Sequence, residues 1–503
     1  MEVSPTLRRE FGDFQTPELL AVECCALLKR LGLRPGGILE PTCGYGSFLL
    51  AAASAFPNAT AARGFDINAE YVRALTASVA DTPGYDRVFV TQGDFFVVDW
   101  PEVVSSLPEP ILVLGNPPWV TNAALGALGS NNLPAKSNFQ SLSGFDAITG
   151  KSNFDISEWM LIKLCELVSG RNAAIAMLCK SATARKVLLH AWKVGIPVTE
   201  ASIYQINAQE HFSAAVEACF LVMQFQPGRD SSRSCAVYNG LSENAARLSE
   251  FGYRDQRLVS DVVAYELSRH LQGSPAPFIW RSGVKHDCSR VMEFTRGADG
   301  LMRNGMATIV DIEEQFLYPM LKSSHVAGSD DSGDDRFMLV PQRSTGDDTS
   351  VLAHTAPKTW DYLVSHSEWL DKRGSSIYRK RSRFAVFGIG EYSFAPWKVA
   401  ISGFYKRLRF RLVGPRNDKP TVLDDTSYFI ACQSYEEAVM LRDMLHSEPA
   451  TRFFNSLVFW DGKRPITAEV LNRLDLVRLA SEVGYTLPDR GASEESQVAL
   501  ALR

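Results

Sequence analysis

The sequence predicts an α/β protein whose first half is a doubly wound sheet and whose second half is a separate, mixed α+β domain. Two observations support the sheet: short apolar runs alternate with helical patterns, and several of the runs end in a polar residue. Such alternation is typical of strands joined by helices, with ligands bound at the carboxyl ends of the strands. The alternation fades near residue 230, so we expect domains at 1–230 and 231–503.

The first half contains one well-punctuated helix and six strand-like runs. The helix is expected to start at Thr16-Pro17 and to end before Gly32, because Thr favours the N-cap, Pro the first turn and Gly the position after a helix. Further helical patterns cover residues 47–56 and 157–168. The expected strands are 37–40, 60–66, 88–91, 111–114, 173–179 and 218–225.

Composition narrows the class of protein. The 503 residues are 46% hydrophobic and 22% charged, with a net charge of −5, so no overall basic excess marks a nucleic-acid partner. Nine cysteines are scattered without a Cys-x-x-Cys pair, which argues against a disulfide framework and a zinc site and predicts that no metal is bound. No apolar stretch of about 18 residues occurs, so we expect a cytoplasmic protein rather than a secreted or membrane one.

Polar residues end the first three strands. The first strand runs into a glycine-rich turn, Glu40-Pro41-Thr42-Cys43-Gly44-Tyr45-Gly46, which lets the backbone approach a ligand closely. Asp66 follows Gly46 by 20 residues, the place for a carboxylate that accepts hydrogen bonds from a ribose. Asp94-Phe95 follows the third strand and could contact an adenine. The turn lacks the three-glycine pyrophosphate pattern, so it suits a cofactor with an adenosine but no phosphates.

The fourth strand is followed by Asn116-Pro117-Pro118-Trp119. The Asn116 side-chain oxygen and the Pro117 carbonyl can together accept both hydrogens of an amino group. The prolines stiffen the turn because their rings fix φ. Trp119 offers a face on which a planar ring can stack. The tetrapeptide therefore indicates a site for a flat, amino-bearing ring.

These motifs resemble those of the gamma-class S-adenosylmethionine-dependent DNA adenine-N6 methyltransferases of restriction-modification systems. In that family the cofactor motifs precede the catalytic tetrapeptide, and a C-terminal target recognition domain follows. The resemblance implies a Rossmann-like methyltransferase sheet that binds S-adenosyl-L-methionine, and a DNA-recognition domain. The residues that it implies for the cofactor are Phe14, Thr16, Glu40, Pro41, Cys43, Gly44, Gly46, Asp66, Ile67, Asp94, Phe95 and Asn116. Trp119 stands where Tyr or Phe is commoner in the family.

The expected reaction is transfer of the methyl group to N6 of an adenine flipped out of double-stranded DNA, with Asn116, Pro117, Pro118 and Trp119 as the catalytic motif. Phe212 matches by position an aromatic residue that the family uses against the flipped base, although an ordinary core role is equally compatible with the sequence. The polar segment between Val120 and Asp155 is long for a loop in a compact domain, which favours a functional loop over an inert insertion.

A basic segment in the second half supplies a local surface for DNA phosphates. Residues 372–411 contain eleven cations and one anion, Glu391. Clustered cations of this kind bind phosphates in a salt-dependent way. The alternation of Leu408 and Phe410 with arginines predicts a strand with its arginines outward. The cations assigned to DNA are Lys380, Arg381, Arg383, Lys398, Lys406, Arg407, Arg409 and Arg411.

Several alternatives stay open at this point. A cytosine-N4 methyltransferase would use the same chemistry, and enzymes acting on RNA bases or on a glutamine of a release factor share an Asn-Pro-Pro-aromatic motif. A catalytically silent DNA-binding subunit is a further reading. The sequence contains no nuclease motif, so a cognate restriction endonuclease would be a separate polypeptide, and an orphan role is equally open.

Overall fold

The computed structural model describes residues 15–120, 155–328, 335–488 and Arg490. The chain divides into two compact units, Met1–Val262 and Val263–Arg503. Phe14 and nearly all of the predicted functional loop, residues 121–154, lie outside the described residues. No helix within the described ranges is both long and apolar enough to cross a membrane.

The first unit is built on one large sheet. Its helices are α1 (Glu18–Arg30), α2 (Ser47–Ala55), α3 (Ala69–Ala80), α4 (Trp100–Ser105), α5 (Ile156–Val168), α6 (Ser181–Val194) and α7 (Ala208–Phe212). Its strands are β1 (Gly37–Glu40), β2 (Ala61–Asp66), β3 (Val88–Gln92), β4 (Ile111–Gly115), β5 (Ala173–Lys180), β6 (Glu200–Ile206), β7 (Ala218–Phe225), β8 (Ser234–Tyr238), β9 (Arg247–Arg254) and β10 (Arg257–Val259). These ten strands form one sheet in the order β10-β9-β8-β6-β7-β5-β4-β1-β2-β3.

The strand order places a ligand crevice between β1 and β4. From β1 the chain proceeds outward to β2 and β3, whereas β4 lies on the opposite side of β1 and continues to β5, all in parallel pairs. The register pairs Gly37 with Ile111, so the two strands end side by side. Ligands of doubly wound sheets bind at such a reversal of strand order. Here Glu40 ends β1 and Asn116 follows β4.

The predicted doubly wound sheet is confirmed, and all six expected strands are present within a few residues. The strands from β3 to β5 form a continuous parallel block, β7 runs antiparallel to both β5 and β6, and β6 pairs in parallel with β8. β6 and β8 to β10 were not among the predicted strands. Since β8, β9 and β10 extend the first sheet, the boundary between the compact units follows Val262, later than the sequence-based position near residue 230.

The second unit is a mixed α+β domain, as predicted. Its helices are α8 (Val262–Ser268, which begins at the boundary), α9 (Ser289–Met292), α10 (Ser323–Ala327), α11 (Leu352–Thr355), α12 (Pro357–Ser365), α13 (Ser367–Asp371), α14 (Tyr435–Leu445), α15 (Glu448–Leu457), α16 (Ala468–Leu471) and α17 (Leu476–Val483). Its strands are β11 (Arg281–Ser282), β12 (Glu293–Arg296), β13 (Met302–Asn304), β14 (Leu317–Leu321), β15 (Arg336–Leu339), β16 (Trp397–Ser402), β17 (Arg411–Val413), β18 (Val422–Leu423) and β19 (Ser427–Cys432). They form the sheets β11-β19-β16-β17 and β13-β12-β15-β14-β18.

One strand prediction in the second unit is wrong. Residues 407–411 were expected to form a strand, but only Arg411 lies in one, β17. The guanidinium groups of Arg407 and Arg409 both donate to the carbonyl oxygen of Ala327, at the end of α10, and Arg411 donates to that of His325. These arginines therefore hold their own chain against α10, and the segment before Arg411 does not pair as a strand.

Candidate functional site: the carboxyl ends of β1 to β5

The glycine-rich turn after β1 adopts a conformation that requires glycine. Gly44 has φ +50° and Gly46 has φ +88°. A Cβ atom at Gly46 would lie 2.4 Å from Leu75 Cδ1, and one at Gly44 would lie 2.6 Å from Gln15 Oε1. The positive φ values strain any other residue at either position, and a side chain at Gly46 would also press on the buried Leu75, so the turn presents its backbone at the beginning of α2.

Asp66 ties this turn to the end of β2. One carboxylate oxygen accepts from the Gly44 N–H at 2.8 Å, and the other accepts from the Asn68 N–H at 2.8 Å. These two bonds fix the orientation of the carboxylate at the end of β2. Next to it, the Ile67 side chain is 43% exposed. The Cys43 N–H donates to the Phe65 carbonyl at 2.7 Å, which holds the turn beside β2.

Glu40 lies at the base of the crevice with its carboxyl group buried. Burial raises the pKa of this carboxyl well above its usual range, and Asp66 raises it further, while a hydrogen bond from the Leu49 main chain opposes the shift. Among the described residues, Glu40 Oε2 and the neighbouring Thr42 Oγ1 are buried without a hydrogen-bond partner. Buried polar atoms of this kind are costly unless a ligand satisfies them. An acceptor carboxylate here fits a cationic amino group of a bound cofactor.

The end of β3 is occupied by an aromatic cluster. The Phe95 ring is buried, 5.0 Å from the Trp100 ring and 6.1 Å from the Trp159 ring. Asp94 Oδ1 accepts from the Phe96 N–H at 2.9 Å, which shapes the turn after the strand. Trp159 comes from α5, and sequence analysis did not include it in the site. Trp159 lies far from Phe95 along the chain, so no local sequence pattern indicates that the two rings are in contact.

Asn116 is hydrogen-bonded to a residue that lies just before α1. Its Nδ2 donates to Thr16 Oγ1 at 3.3 Å. Thr16 was expected to cap α1, but the helix begins one residue later, with Pro17 at the N-cap and no side-chain cap. The Thr16 hydroxyl instead contacts the asparagine that follows β4. This bond engages the nitrogen end of the amide.

Trp119 and Phe212 are in contact. Their ring centroids are 5.1 Å apart with an interplanar angle of 65°, an edge-to-face arrangement. Both are buried, with 5% and 9% of their surface exposed. The structure therefore brings the two predicted aromatic residues together at a corner, and a planar ring does not fit between them at this distance. Pro117 is also buried, whereas Asn116 and Pro118 are partly exposed.

Lys180, at the end of β5, is a site residue that sequence analysis missed. Its Nζ donates to the Trp119 carbonyl oxygen at 3.0 Å and to Asp155 Oδ2 at 2.5 Å. The ends of β4 and β5 are adjacent because the two strands pair. The sequence contains one indication that Lys180 belongs to the site. It is the first charged residue after the apolar run that starts at Ala173, so it marks the end of a buried strand.

Seven of the eight predicted DNA-binding cations of the second unit fall into three groups. Lys380, Arg381 and Lys406 are exposed, and within the described residues no ion pair involves them. Arg383 is exposed and pairs with Asp371. Arg407, Arg409 and Arg411 donate to main-chain carbonyls of Ala327 and His325.

The assignment of Lys398 to DNA is wrong. This lysine is 1% exposed, and its Nζ donates to the Ala395 carbonyl at 2.7 Å inside the second unit. Burial lowers its pKa to about 7. A side chain so placed cannot reach a phosphate. A count of charged residues does not distinguish a buried lysine from an exposed one.

The fold, the reversal of strand order and the side chains at the strand ends define an S-adenosylmethionine-dependent methyltransferase. No protein-family model matches the sequence. Over 474 residues the chain is 42% identical to the type II methyltransferase M.NspV of Nostoc sp., covering 94% of this chain and 98% of the relative. The chain therefore belongs to the type II methyltransferases, which are DNA methyltransferases of restriction-modification systems.

A solved structure shares the fold along most of the chain. The type IIL restriction-modification enzyme MmeI, determined in complex with DNA, superposes with a TM-score of 0.57. The match covers 93% of this chain and 69% of MmeI at 13% sequence identity. At that identity the likeness shows the fold alone.

Proposed function

We propose that this protein transfers a methyl group to N6 of a specific adenine that is flipped out of double-stranded DNA. The observation that carries the proposal is the placement of Asn116 and Pro117 at the end of β4, directly beside the end of β1 where Glu40 lies. Acceptors for an exocyclic amine and the expected cofactor crevice thus share one edge of the sheet. The proposal extends the family assignment to a particular base and atom.

The chemistry requires a better nucleophile than free adenine. The N6 lone pair is delocalised into the ring, so the amine attacks poorly. When the Asn116 amide oxygen and the Pro117 carbonyl accept its two hydrogens, the nitrogen moves toward tetrahedral geometry and its lone pair becomes available. The Thr16 hydroxyl supports this role because it holds the asparagine by its nitrogen end. Catalysis of this kind depends on positioning and directed hydrogen bonds.

Bound S-adenosylmethionine supplies an electrophilic methyl group at the crevice. We infer that Glu40 receives its amino group, since the carboxyl oxygen Oε2 is buried with no partner among the described residues. Asp66 and the backbone after β1 receive its ribose and nearby atoms, because the carboxylate is already oriented by Gly44 and Asn68. Asp94, Phe95 and Ile67 border the adenine. As N6 gains the methyl group, the bond between that methyl group and the donor sulfur breaks, a neutral thioether leaves, and N6 loses a proton to solvent.

The target base needs an aromatic surface outside the helix stack, because unstacking costs a few kcal/mol. We infer that the base packs on the face of Trp119 while Phe212 borders its edge. The 65° angle between the two rings forms such a corner. Since Trp119 is 5% exposed, neighbouring side chains must move before a base reaches it.

Double-stranded DNA is the proposed substrate, and the second unit is proposed to recognise the target sequence. Of the cations assigned to DNA, Lys380, Arg381 and Lys406 are exposed and have no ion pair among the described residues, so they are proposed to contact phosphates. The second candidate class, cytosine-N4 methylation, uses the same acceptors. We also infer action in the cytoplasm, because all nine cysteines are described and remain thiols. A restriction endonuclease for the same site would be a separate polypeptide.

Replacement of the proposed amine acceptor tests the function. Asn116→Ala should lower methyl transfer to duplex DNA at least 100-fold, of the order seen when one directed hydrogen-bond donor is lost from an active site. Binding of S-adenosylmethionine should stay within about twofold, a change of about 0.4 kcal/mol in binding free energy, because the proposed contacts to the amino group and the ribose come from Glu40 and Asp66 rather than from Asn116. Asn58→Ala, at an exposed position of the same unit, is the matched control. Normal turnover by Asn116→Ala would overturn the proposal.

A further inference from the structure

Lys180 links the catalytic tetrapeptide to the beginning of α5. Its ammonium group donates to the carbonyl oxygen of Trp119, the last residue of the tetrapeptide, at 3.0 Å. The same ammonium pairs with Asp155 at 2.5 Å. The side chains of Lys180 and Asp155 are 23% and 8% exposed. In such a partly buried setting, hydrogen bonds between charged groups are stronger than at a surface.

Asp155 also caps the N-terminus of α5. Its Oδ1 accepts from the Ser157 N–H at 3.1 Å and the Ser157 hydroxyl at 2.5 Å, so it caps α5. Its Oδ2 pairs with Lys180. The carboxylate is therefore fixed to a helix terminus at one oxygen and to the lysine at the other.

A main-chain bond reinforces the same junction. The Ile156 N–H donates to the Val120 carbonyl at 3.0 Å. Two successive carbonyl groups therefore accept hydrogen bonds: that of Trp119 from Lys180, and that of Val120 from Ile156, the first residue of α5. The two prolines restrict the backbone in the middle of the tetrapeptide, and the hydrogen bonds at this junction fix its C-terminal end.

We propose that Lys180 is a positioning residue for methyl transfer: it holds the Asn116–Trp119 turn against α5 so that the Asn116 oxygen and the Pro117 carbonyl meet the target amine. The inference rests on the proposed function. The ammonium group touches neither reactant in this account. It acts through the Trp119 carbonyl, and a misplacement of about 1 Å at reacting groups can cost about 100-fold in rate.

Lysine suits the role because its three donors point in different directions from one atom. Two of them serve the Trp119 carbonyl and the Asp155 carboxylate. Methionine keeps the length and apolar stem but offers no donor. Arginine keeps the charge and several donors, with a wider planar group.

A matched control exists at a second ion pair that involves α5. Lys186, on α6, pairs with the buried Glu158 of α5 at 3.0 Å. Lys186→Met therefore also removes an ion pair to α5, but it touches no residue of the tetrapeptide in the described contacts. Comparing Lys180→Met with Lys186→Met separates a loss of stability from a loss of positioning.

The test combines single-turnover methylation of DNA, S-adenosylmethionine binding and hydrogen exchange. Lys180→Met should slow transfer about 10- to 100-fold with little change in the Kd for the cofactor. Lys180→Arg should recover part of the rate, and Lys186→Met should transfer at the wild-type rate. Amide exchange at Ile156 should accelerate in Lys180→Met and not in Lys186→Met.

Each result decides between named outcomes. A wild-type rate in Lys180→Met, or rate losses in both methionine variants that follow their thermal stability, overturns the positioning role while leaving the proposed function intact. If the wild-type protein does not methylate DNA, the proposed function fails, and the Ile156 exchange still decides whether Lys180 holds the turn. Unchanged exchange in Lys180→Met overturns that hold.

Discussion

The Asn116 amide donates from Nδ2 to the Thr16 hydroxyl, although the two residues lie 100 positions apart in the chain. Thr16 precedes α1, and Asn116 follows β4. The contact joins the segment before α1 to the residue expected to accept hydrogen bonds from the target amine. It explains why a threonine in a helix-start motif does not cap its own helix.

Loss of the Thr16 hydroxyl should loosen Asn116. A neutral hydrogen bond contributes about 1 kcal/mol, which corresponds to about a fivefold change in rate. Thr16→Val should therefore lower the single-turnover rate about fivefold, while Thr16→Ser, which keeps the hydroxyl, should stay near the wild-type rate. Equal rates for Thr16→Val and the wild type would show that the bond does not orient the asparagine.

Cofactor binding should depend on pH through Glu40. Burial raises the pKa of this carboxyl, so without cofactor it stays protonated to higher pH than an ordinary glutamate. A cationic ligand favours the ionised form, and binding should release a proton. Affinity for S-adenosylmethionine should therefore rise with pH until the raised pKa is passed.

Calorimetry in buffers of different ionisation enthalpy measures that proton release. Glu40→Gln should bind more weakly at high pH and lose the pH dependence, because the amide does not ionise. A wild-type affinity that is constant with pH, or falls as pH rises, would contradict the role of this carboxyl.

The exposed and carbonyl-bound cations should behave differently. Each phosphate contact contributes about 0.9 to the slope of log K against log salt. Replacing both Lys380 and Arg381 with glutamine should reduce that slope by about 2 if each residue contacts a phosphate. Arg409→Gln should leave the slope unchanged and lower the thermal stability, because Arg409 donates to the Ala327 carbonyl. A reversed pattern, measured by titration of duplex DNA at several salt concentrations, would refute the assignment.

Lys398 should make the stability of the protein depend on pH in a defined window. Its pKa is about 7 when folded, well below the ordinary value of 10.5. Between these values the unfolded chain binds a proton that the folded chain lacks, so stability rises with pH across that range. Lys398→Met should flatten the rise in denaturant unfolding experiments, while Lys406→Met, at an exposed position, should not.

The sequence predicted those parts of the fold that depend on local patterns. The strands before Glu40 and Asn116 are continuous apolar runs buried along their length, which is the pattern of a central parallel strand. β9 escaped prediction because it is polar and half-exposed: its sequence, from Arg247 to Arg254, contains three charged residues. Its place in the sheet depends on pairing with β8 and β10.

The residues of the candidate site likewise divide into those that a local sequence motif predicts and those that only the folded structure brings together. The motifs around Gly44 and Asn116 are contiguous, so their residue types were readable in the sequence. The contacts of Lys180 with Trp119 and Asp155 join three separate segments, and only the fold reveals them. Charge alone misassigned Lys398, since consecutive residues of β16 are buried on both faces of the strand, which a count of charges does not reveal.

Identification of the methylated nucleoside tests the central claim most directly. Duplex DNA would be incubated with the wild-type protein and labelled S-adenosylmethionine, digested to nucleosides and analysed by mass spectrometry, with Asn116→Ala in parallel. The account predicts N6-methyldeoxyadenosine from the wild type and none above background from the variant. Label found in N4-methyldeoxycytidine, or in DNA treated with Asn116→Ala, would contradict it.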